Sequence, residues 1–113
     1  MRKLSQRRLD ELLDFWQGAL RLADWDIEAK TATRRALNGD DGECSAYPTL
    51  REAEIRVVSG APSSKFADHE TILVHELYHC HFEPFRTDKN EQEIERTIEA
   101  LSKATVALRR MAA

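Results

Sequence analysis

The stretch His75-Glu76-Leu77-Tyr78-His79 contains the residues of this chain whose types and spacing could do chemistry. Residues four apart on an α-helix share a face, so both imidazoles can bind one metal ion. Glu76 is one residue round from His75, where its carboxylate can hold a water bound to that metal. Zinc lowers the pKa of such a water to about 7, and a nearby carboxylate can take its proton during attack on a carbonyl. The motif therefore predicts a Zn²⁺ site with Glu76 as general base.

A third ligand must come from outside this motif, because a catalytic zinc site takes three protein ligands and one water. The last segment of the chain offers several glutamates on a helix whose apolar residues mark its inward face. These apolar residues are Ile94, Ile98, Leu101 and Leu108. At 100° per residue, Glu91 lies about 50° from the centre of the face and Glu95 about 90°. Glu91 is thus the predicted third ligand, with Glu95 in reserve; alternatively, Glu91 is a first-turn acid favoured by the helix dipole.

The other polar residues near the motif are expected to have supporting roles. His81 lies roughly 160° round the helix from His79, so it is predicted to be structural or at the rim of the site. His69 is expected to be solvated at the helix start, and Cys80 to be a small buried residue. An oxyanion would need a hydrogen-bond donor, for which the only phenols are Tyr47 and Tyr78. Tyr47, just before Pro48, is the candidate that overhangs the cleft, while Tyr78 is expected to pack.

The elements that position these residues can be predicted from periodicity and capping. A first helix follows Ser5, with apolar residues at helical spacing as far as Leu20, and ends near Asp24. The alternating segments WDIEAKTAT and REAEIRVV predict two strands, and CSAYP a short third strand after the turn signal NGDDGE. SGAPSS is a predicted linker. The motif helix is expected to run from an Asp68 N-cap to Glu83, before Pro84, and the last helix to begin near Asp88.

This order of elements predicts an α+β fold, in which helices pack on a small twisted sheet. The 113 residues are enough for one domain, spanning 1–113, with one core. The formal charge of -3 argues against nucleic acid or an anionic membrane as the main partner. No apolar run is long enough to span a bilayer, and the acidic residues near the N-terminus argue against a secretory signal. Two cysteines, read as free thiols, favour a cytoplasmic location.

Several phrases of the sequence resemble one family of proteins. They are LRLADWDIE, REAEIRVV, TILVHELYH and EQEIERTIEAL, which together cover the chain from Leu12 to Leu101. The chain resembles the small zinc peptidases of the gluzincin type, with HExxH followed by a glutamate on the next helix. More narrowly, it is similar to the minimal metallopeptidase-like proteins of bacteriophages and prophages. The resemblance implies a minimal zincin-like domain and places the family's ligand glutamate at Glu91.

The leading hypothesis is a zinc-dependent metallopeptidase that hydrolyses a peptide or protein substrate, with His75, His79 and Glu91 as ligands. REAEIRVV, which precedes the metal helix, is the candidate strand for binding an extended peptide, unless it is a fully paired central strand. An alternative function is a zinc-binding regulatory or structural module whose site is catalytically silent. In such a module a protein group, for example His81 or Cys80, would fill the fourth zinc position. A metal-free helical packing module is a third, weaker hypothesis.

Overall fold

Three helices and three strands make up the protein in a computed structural model that describes residues 3–63 and 68–112. In chain order they are α1 (Gln6–Ala19), β1 (Asp26–Ala32), β2 (Gly42–Tyr47), β3 (Glu52–Val58), α2 (His69–Phe82) and α3 (Glu91–Ala112). A short 3-10 turn, Glu83–Phe85, follows α2. The predicted α+β class and element order are confirmed. Of the predicted linker, Ser64 lies outside the described residues.

Helix α1 begins where the sequence predicts. The Ser5 hydroxyl accepts a hydrogen bond from the Arg8 backbone amide at 3.1 Å, which satisfies one of the unpaired donors of the first turn. Leu9, Leu12 and Trp16 form its buried face. The helix ends at Ala19, several residues before the predicted end near Asp24, and Arg21 then adopts a positive φ of 63°.

The sheet has the strand order β1-β3-β2, so β3 is its central strand. β3 pairs in parallel with β1 and antiparallel with β2, and Ile55 lies opposite both Ala29 and Cys44. The predicted inward residues of β3, Ala53, Ile55 and Val57, are all buried. The alternation of the sequence therefore predicted the buried face correctly.

The two edges of the sheet differ in what covers them. On the outer side of β1, the Gln6 side chain donates to the Ala29 carbonyl at 2.8 Å and accepts from the Thr31 amide at 3.1 Å. An α1 side chain thus takes the place of a neighbouring strand. β2 forms the other edge, and no strand in the described ranges pairs with its outer side.

Helix α2 packs against the sheet, and α3 packs antiparallel to α2. The Asp68 carboxylate caps α2 by accepting from the Thr71 amide at 2.9 Å, as predicted. Arg110, near the end of α3, donates to Asp68 at 2.7 Å and to Glu70 at 3.0 Å. Trp16 of α1 donates from its indole to the other oxygen of Glu70 at 2.8 Å. These bonds join the three helices at the N-terminal end of α2.

The buried face of α3 differs from the predicted one. The buried residues are Ile94, Ile98, Ser102 and Val106, whereas Leu101 is 37% exposed and Leu108 65% exposed. The buried residues recur every four positions. Residues at this spacing form a ridge on the helix surface, and such a ridge packs into the grooves of a neighbouring helix. The prediction for Leu101 and Leu108 was wrong. It was based on the largest apolar residues, whereas close packing of the helix buries the small side chain of Ser102 instead. No helix of the described ranges is long and apolar enough to cross a membrane.

Candidate metal centre

Helix α2 holds His75, Glu76 and His79 in an environment shielded from water. His75 is 2% exposed and Glu76 6%, and the side chain of His79 is 21% exposed. Every residue from Thr71 to Leu77 is buried, since β2 and β3 contact α2 as does α3. The two imidazoles lie on one face with ring centroids 5.2 Å apart, as helical i,i+4 spacing requires.

Glu95 of α3 completes a cluster with the two histidines. Nε2 of His75 lies 2.7 Å from Oε1 of Glu95, and Nε2 of His79 lies 3.2 Å from Oε2 of the same carboxylate. The three potential ligand atoms lie within 4.8 Å of one another. Two imidazole nitrogens and one carboxylate are a donor set that catalytic zinc sites use. His75, His79 and Glu95, called the metal cluster below, can therefore hold a metal ion.

The structure does not bring Glu91, the predicted third ligand, to this cluster. Its side chain is 64% exposed and accepts a hydrogen bond from Arg86 at 3.1 Å. Glu91 is the first residue of α3, and Glu95 lies one turn further along the axis, level with both imidazoles. A helical wheel gives the direction of a side chain about the axis but not its height along it. For this reason the structure places Glu95, the reserve residue, beside both imidazoles, and Glu91 away from them.

The metal cluster is electrostatically coupled. Hydrogen bonds from His75 and His79 hold the pKa of the Glu95 carboxyl far below its usual range, although burial opposes them. Burial alone would lower the pKa of His79, but its hydrogen bond to Glu95 and the charge of Glu76 outweigh burial and raise that pKa. The ionised carboxylate of Glu95 thus lies against the ring N–H groups of His75 and His79. A dication that binds among these three groups could displace the two ring protons.

Glu76 is a buried carboxyl group with little polar compensation. Burial raises its pKa to about 7, although the two neighbouring histidines act in the opposite direction. Its carboxylate lies against the backbone of Gly42 in β2, since a Cβ built on Gly42 would be 3.1 Å from Oε2 of Glu76. A group with a pKa near neutrality can both accept and return a proton, which a general acid–base residue must do.

A cleft of about 560 Å³ opens onto the metal cluster and Glu76. One wall is β2 with the loop before it, and the other consists of His75, Glu76 and His79 of α2 with Glu95 and Arg86. Tyr47 lines this cleft and is 51% exposed, so the phenol lies where the sequence placed it. Tyr78 is hydrogen-bonded to the Thr105 hydroxyl at 2.6 Å and contributes to packing, as predicted.

The strand beside the cleft is β2, not β3. Residues Gly42–Tyr47 of β2 all line the cleft, whereas β3 is hydrogen-bonded to a strand on each side. The prediction that REAEIRVV binds an extended peptide was therefore wrong, and the stated alternative of a paired central strand is correct. The sequence gives the existence of each strand, but the order of strands depends on contacts between distant segments.

The loop that leads into β2 is held firmly at the mouth of the cleft. The Asp41 side chain accepts from Arg34 at 2.8 Å, from the Ser63 amide at 2.9 Å and from the Ser63 hydroxyl at 2.6 Å. These bonds lower the pKa of the Asp41 carboxyl despite its burial. The start of β2, including Gly42, is consequently held against α2.

The remaining polar residues of α2 have partners outside the cluster. His81 is exposed and its Nε2 lies 2.6 Å from the Leu20 carbonyl, and Nε2 of His69 lies 2.6 Å from the Gly60 carbonyl. Cys80 is buried, as predicted, and the neighbouring Cys44 thiol on β2 lowers its pKa. The structural or rim role expected for His81 agrees with this position.

Arg86 and Gly42 are among the cleft residues that sequence reasoning missed. Arg86 lines the cleft and donates to Glu83 at 2.8 Å, and Gly42 is the backbone contact of Glu76. Arg86 lies in an irregular connection with no periodicity to place it. Gly42 belongs to the Asp-Gly pair of the predicted turn, and that pair gives no sign of a contact with α2.

The comparisons with known proteins give no information about the site. No protein-family model matches the chain, and neither the curated proteins nor the solved structures include a significant match.

Proposed function

We propose that this protein is a zinc-dependent peptidase with a minimal zincin-like domain, of the gluzincin type and similar to the phage and prophage metallopeptidases. The observation that carries the proposal is the position of Glu95 across both imidazoles of the HExxH helix, beside a buried Glu76 on the same cleft. The ligand glutamate is on the helix after the motif, as that type requires, at Glu95 instead of Glu91.

The metal cluster fits zinc in its donor atoms. His75 and His79 would bind through Nε2, the atoms that now face Glu95, and Glu95 would bind through its carboxylate. Zinc bound there would act as a Lewis acid toward a substrate carbonyl and make a bound water more acidic. Binding would release the ring protons at Nε2, so zinc affinity should rise with pH.

Glu76 is the proposed general base. It faces the cleft that the metal cluster also lines, and its pKa of about 7 allows it to gain and lose a proton near neutral pH. Its carboxylate accepts a proton from the attacking water and then delivers it to the leaving nitrogen of the cleaved bond. Burial favours this exchange, because little bulk water competes for the proton.

The substrate is proposed to be an extended peptide bound along the outer edge of β2. Backbone groups on that edge have no strand partner in the described ranges, and the edge borders the cleft along its whole length. Strand addition would place one peptide bond beside the metal cluster, with alternate side chains directed into the cleft. Tyr47 at the end of β2 is exposed there and is the proposed hydrogen-bond donor to the substrate or its oxyanion.

The silent zinc module remains the competing proposal, and the positions of two side chains favour hydrolysis over it. A closed structural site needs a fourth protein ligand. His81 is bonded to the Leu20 carbonyl, and Cys80 is buried in the core. Neither candidate for the fourth position lines the cleft onto which the metal cluster opens.

The test combines metal content with hydrolysis. Purified protein loaded with zinc should contain about one zinc per chain and cleave members of a quenched-fluorescent peptide library. Glu76→Gln should keep the zinc and lower the cleavage rate at least about 100-fold, because it removes the proton carrier. Glu91→Gln, a matched change of an exposed glutamate, should leave both unchanged. Cleavage that persists in Glu76→Gln would refute the assigned base, and zinc binding without any cleavage would favour the silent module.

A further inference from the structure

Helix α3 has large apolar residues on its solvent side as well as on its buried ridge. Leu101 is 37% exposed, Leu108 65% and Met111 81%, although the sequence pattern predicted that the two leucines would be buried. The helix packs on α2 through the ridge described above, and these three side chains point away from that contact. The core of the protein therefore does not explain why they are apolar.

The three residues belong to a stripe with the spacing of a coiled-coil seam. Thr97, Leu101, Ala104, Leu108 and Met111 follow one another at intervals of four, three, four and three residues, and all five are exposed. At 100° per residue they lie within about 80° of one another around the helix. In a coiled coil such a seam is covered by a second helix, and contiguous exposed apolar surface marks an interaction site. These five residues are called the outer stripe below.

We propose that a second copy of this chain covers the outer stripe, with the two α3 helices antiparallel. The distribution of charge along α3 points to this occupant. Residues 91–101 include four glutamates and one arginine, whereas residues 102–112 include one lysine, two arginines and no acid. In an antiparallel pair each acidic half lies along the basic half of the partner, whereas a parallel pair sets like charges side by side. The proposal does not depend on the proposed peptidase function.

The sizes of the stripe residues also fit an antiparallel pair. With the two-fold axis between residues 102 and 103, Leu101 lies beside the partner's Ala104, and Leu108 lies beside the partner's Thr97. Each leucine thus faces a smaller side chain, which allows the two helices to interdigitate. In a parallel pair, Ala104 would face only the partner's Ala104 and leave a gap. Because both copies use the same surface, the assembly closes as a two-fold dimer.

The dimer is expected to be weak. The outer stripe extends over about 21 Å of the helix, since each residue adds about 1.5 Å. A single helix contact of this length buries less than the roughly 800 Å² per partner that is typical of a stable complex. We therefore expect a dimer that dissociates in the micromolar range.

Analytical ultracentrifugation of the zinc-loaded full chain, over about 1 to 500 µM, measures this association. The expected result is a reversible monomer–dimer equilibrium without larger species. Leu108→Glu should raise the dissociation constant at least about 100-fold, because each copy would bury a carboxylate in the apolar seam. Leu50→Glu is the matched control and should leave the constant unchanged. Leu50 is 66% exposed, close to Leu108, but lies in the turn between β2 and β3.

Both variants replace exposed leucines, so each should keep the circular dichroism spectrum of the wild type, which separates loss of association from loss of folding. A chain that stays monomeric over the whole concentration range overturns the proposal, as does a dimer that Leu108→Glu leaves intact. A dimer weakened equally by Leu50→Glu has the same consequence. Peptide cleavage takes no part in these measurements, so failure of the proposed function would not affect them.

A spin label at position 111 distinguishes the two orientations. Met111→Cys in a Cys44→Ser background has one accessible thiol, since Cys80 is 1% exposed. In the antiparallel dimer the two labelled positions are offset by about 17 residues, or about 26 Å along the helix axis. In a parallel dimer they would be about 10 Å apart. A measured separation near the shorter value overturns the antiparallel arrangement.

Discussion

Gly42 is the position at which one added methyl group should lower catalysis without loss of zinc. A Cβ there would be 3.0 Å from Cγ2 of Ile72, 3.1 Å from the Arg56 carbonyl and 3.1 Å from Oε2 of Glu76. Ile72 is fully buried and Arg56 belongs to the central strand, so neither can retreat easily. The Glu76 carboxylate is the neighbour most able to move, and Gly42→Ala should displace it.

The size of the effect follows from these contacts. One extra methyl in a tightly packed region lowers the free energy of unfolding by about 1–3 kcal/mol. Alanine also has less conformational entropy than glycine in the unfolded chain, which raises the free energy of unfolding by about 0.4–1 kcal/mol. The net loss of about 1–2 kcal/mol corresponds to a fall of roughly 4–8 °C in the unfolding midpoint. A misplaced catalytic group costs up to about 100-fold per ångström, so kcat/KM should fall about 10- to 100-fold.

The assay compares three quantities in Gly42→Ala: the unfolding midpoint, the zinc content and the cleavage of a peptide identified with the wild type. Zinc content should stay at the wild-type level, because the three atoms nearest to the added methyl belong to Ile72, Arg56 and Glu76, not to the metal cluster. Gly60→Ala is the matched control, since a Cβ there meets no atom within 4 Å and should change the three quantities little. A Gly42→Ala protein with wild-type stability and wild-type activity would refute the packing argument. Unchanged activity with reduced stability would show that Ile72 yields instead of Glu76.

Three further predictions concern the ligand, the buried acid and the helix contact. Glu95→Gln should weaken zinc binding in a chelator competition about 100-fold or more, and Glu91→Gln should not; equal affinities would refute Glu95 as a ligand. In chelator-treated protein, ionisation of Glu76 favours the unfolded state, because burial raises its folded pKa from 4.5 to about 7. Stability should therefore fall as the pH rises between these values, and Glu76→Gln should gain about 2–3 kcal/mol over wild type at pH 8 but nothing at pH 4, by urea unfolding. Trp16→Phe removes the donor to Glu70 and should cost about 1–2 kcal/mol in thermal unfolding; no loss would show that Arg110 alone satisfies that carboxylate.

Local structure was largely predictable because its causes are local. The caps Ser5 and Asp68 each accept a bond from an amide three residues on, and nothing distant is needed for that geometry. The buried alternation of β3 is likewise a property of successive residues. The inward face of α3 was predictable only in its first turns, at Ile94 and Ile98, because beyond them the partner helix selected the contact ridge.

The sequence by itself determined that His75, Glu76 and His79 share a helix and that two imidazoles point the same way, since helical spacing alone requires it. Only the tertiary structure decided that Glu95 is the carboxylate between them, because its height along α3 depends on how α3 docks against α2. The same holds for the choice of β2 as the strand beside the cleft. These pairs are far apart in the chain, and the packing of the whole core determines which of them meet.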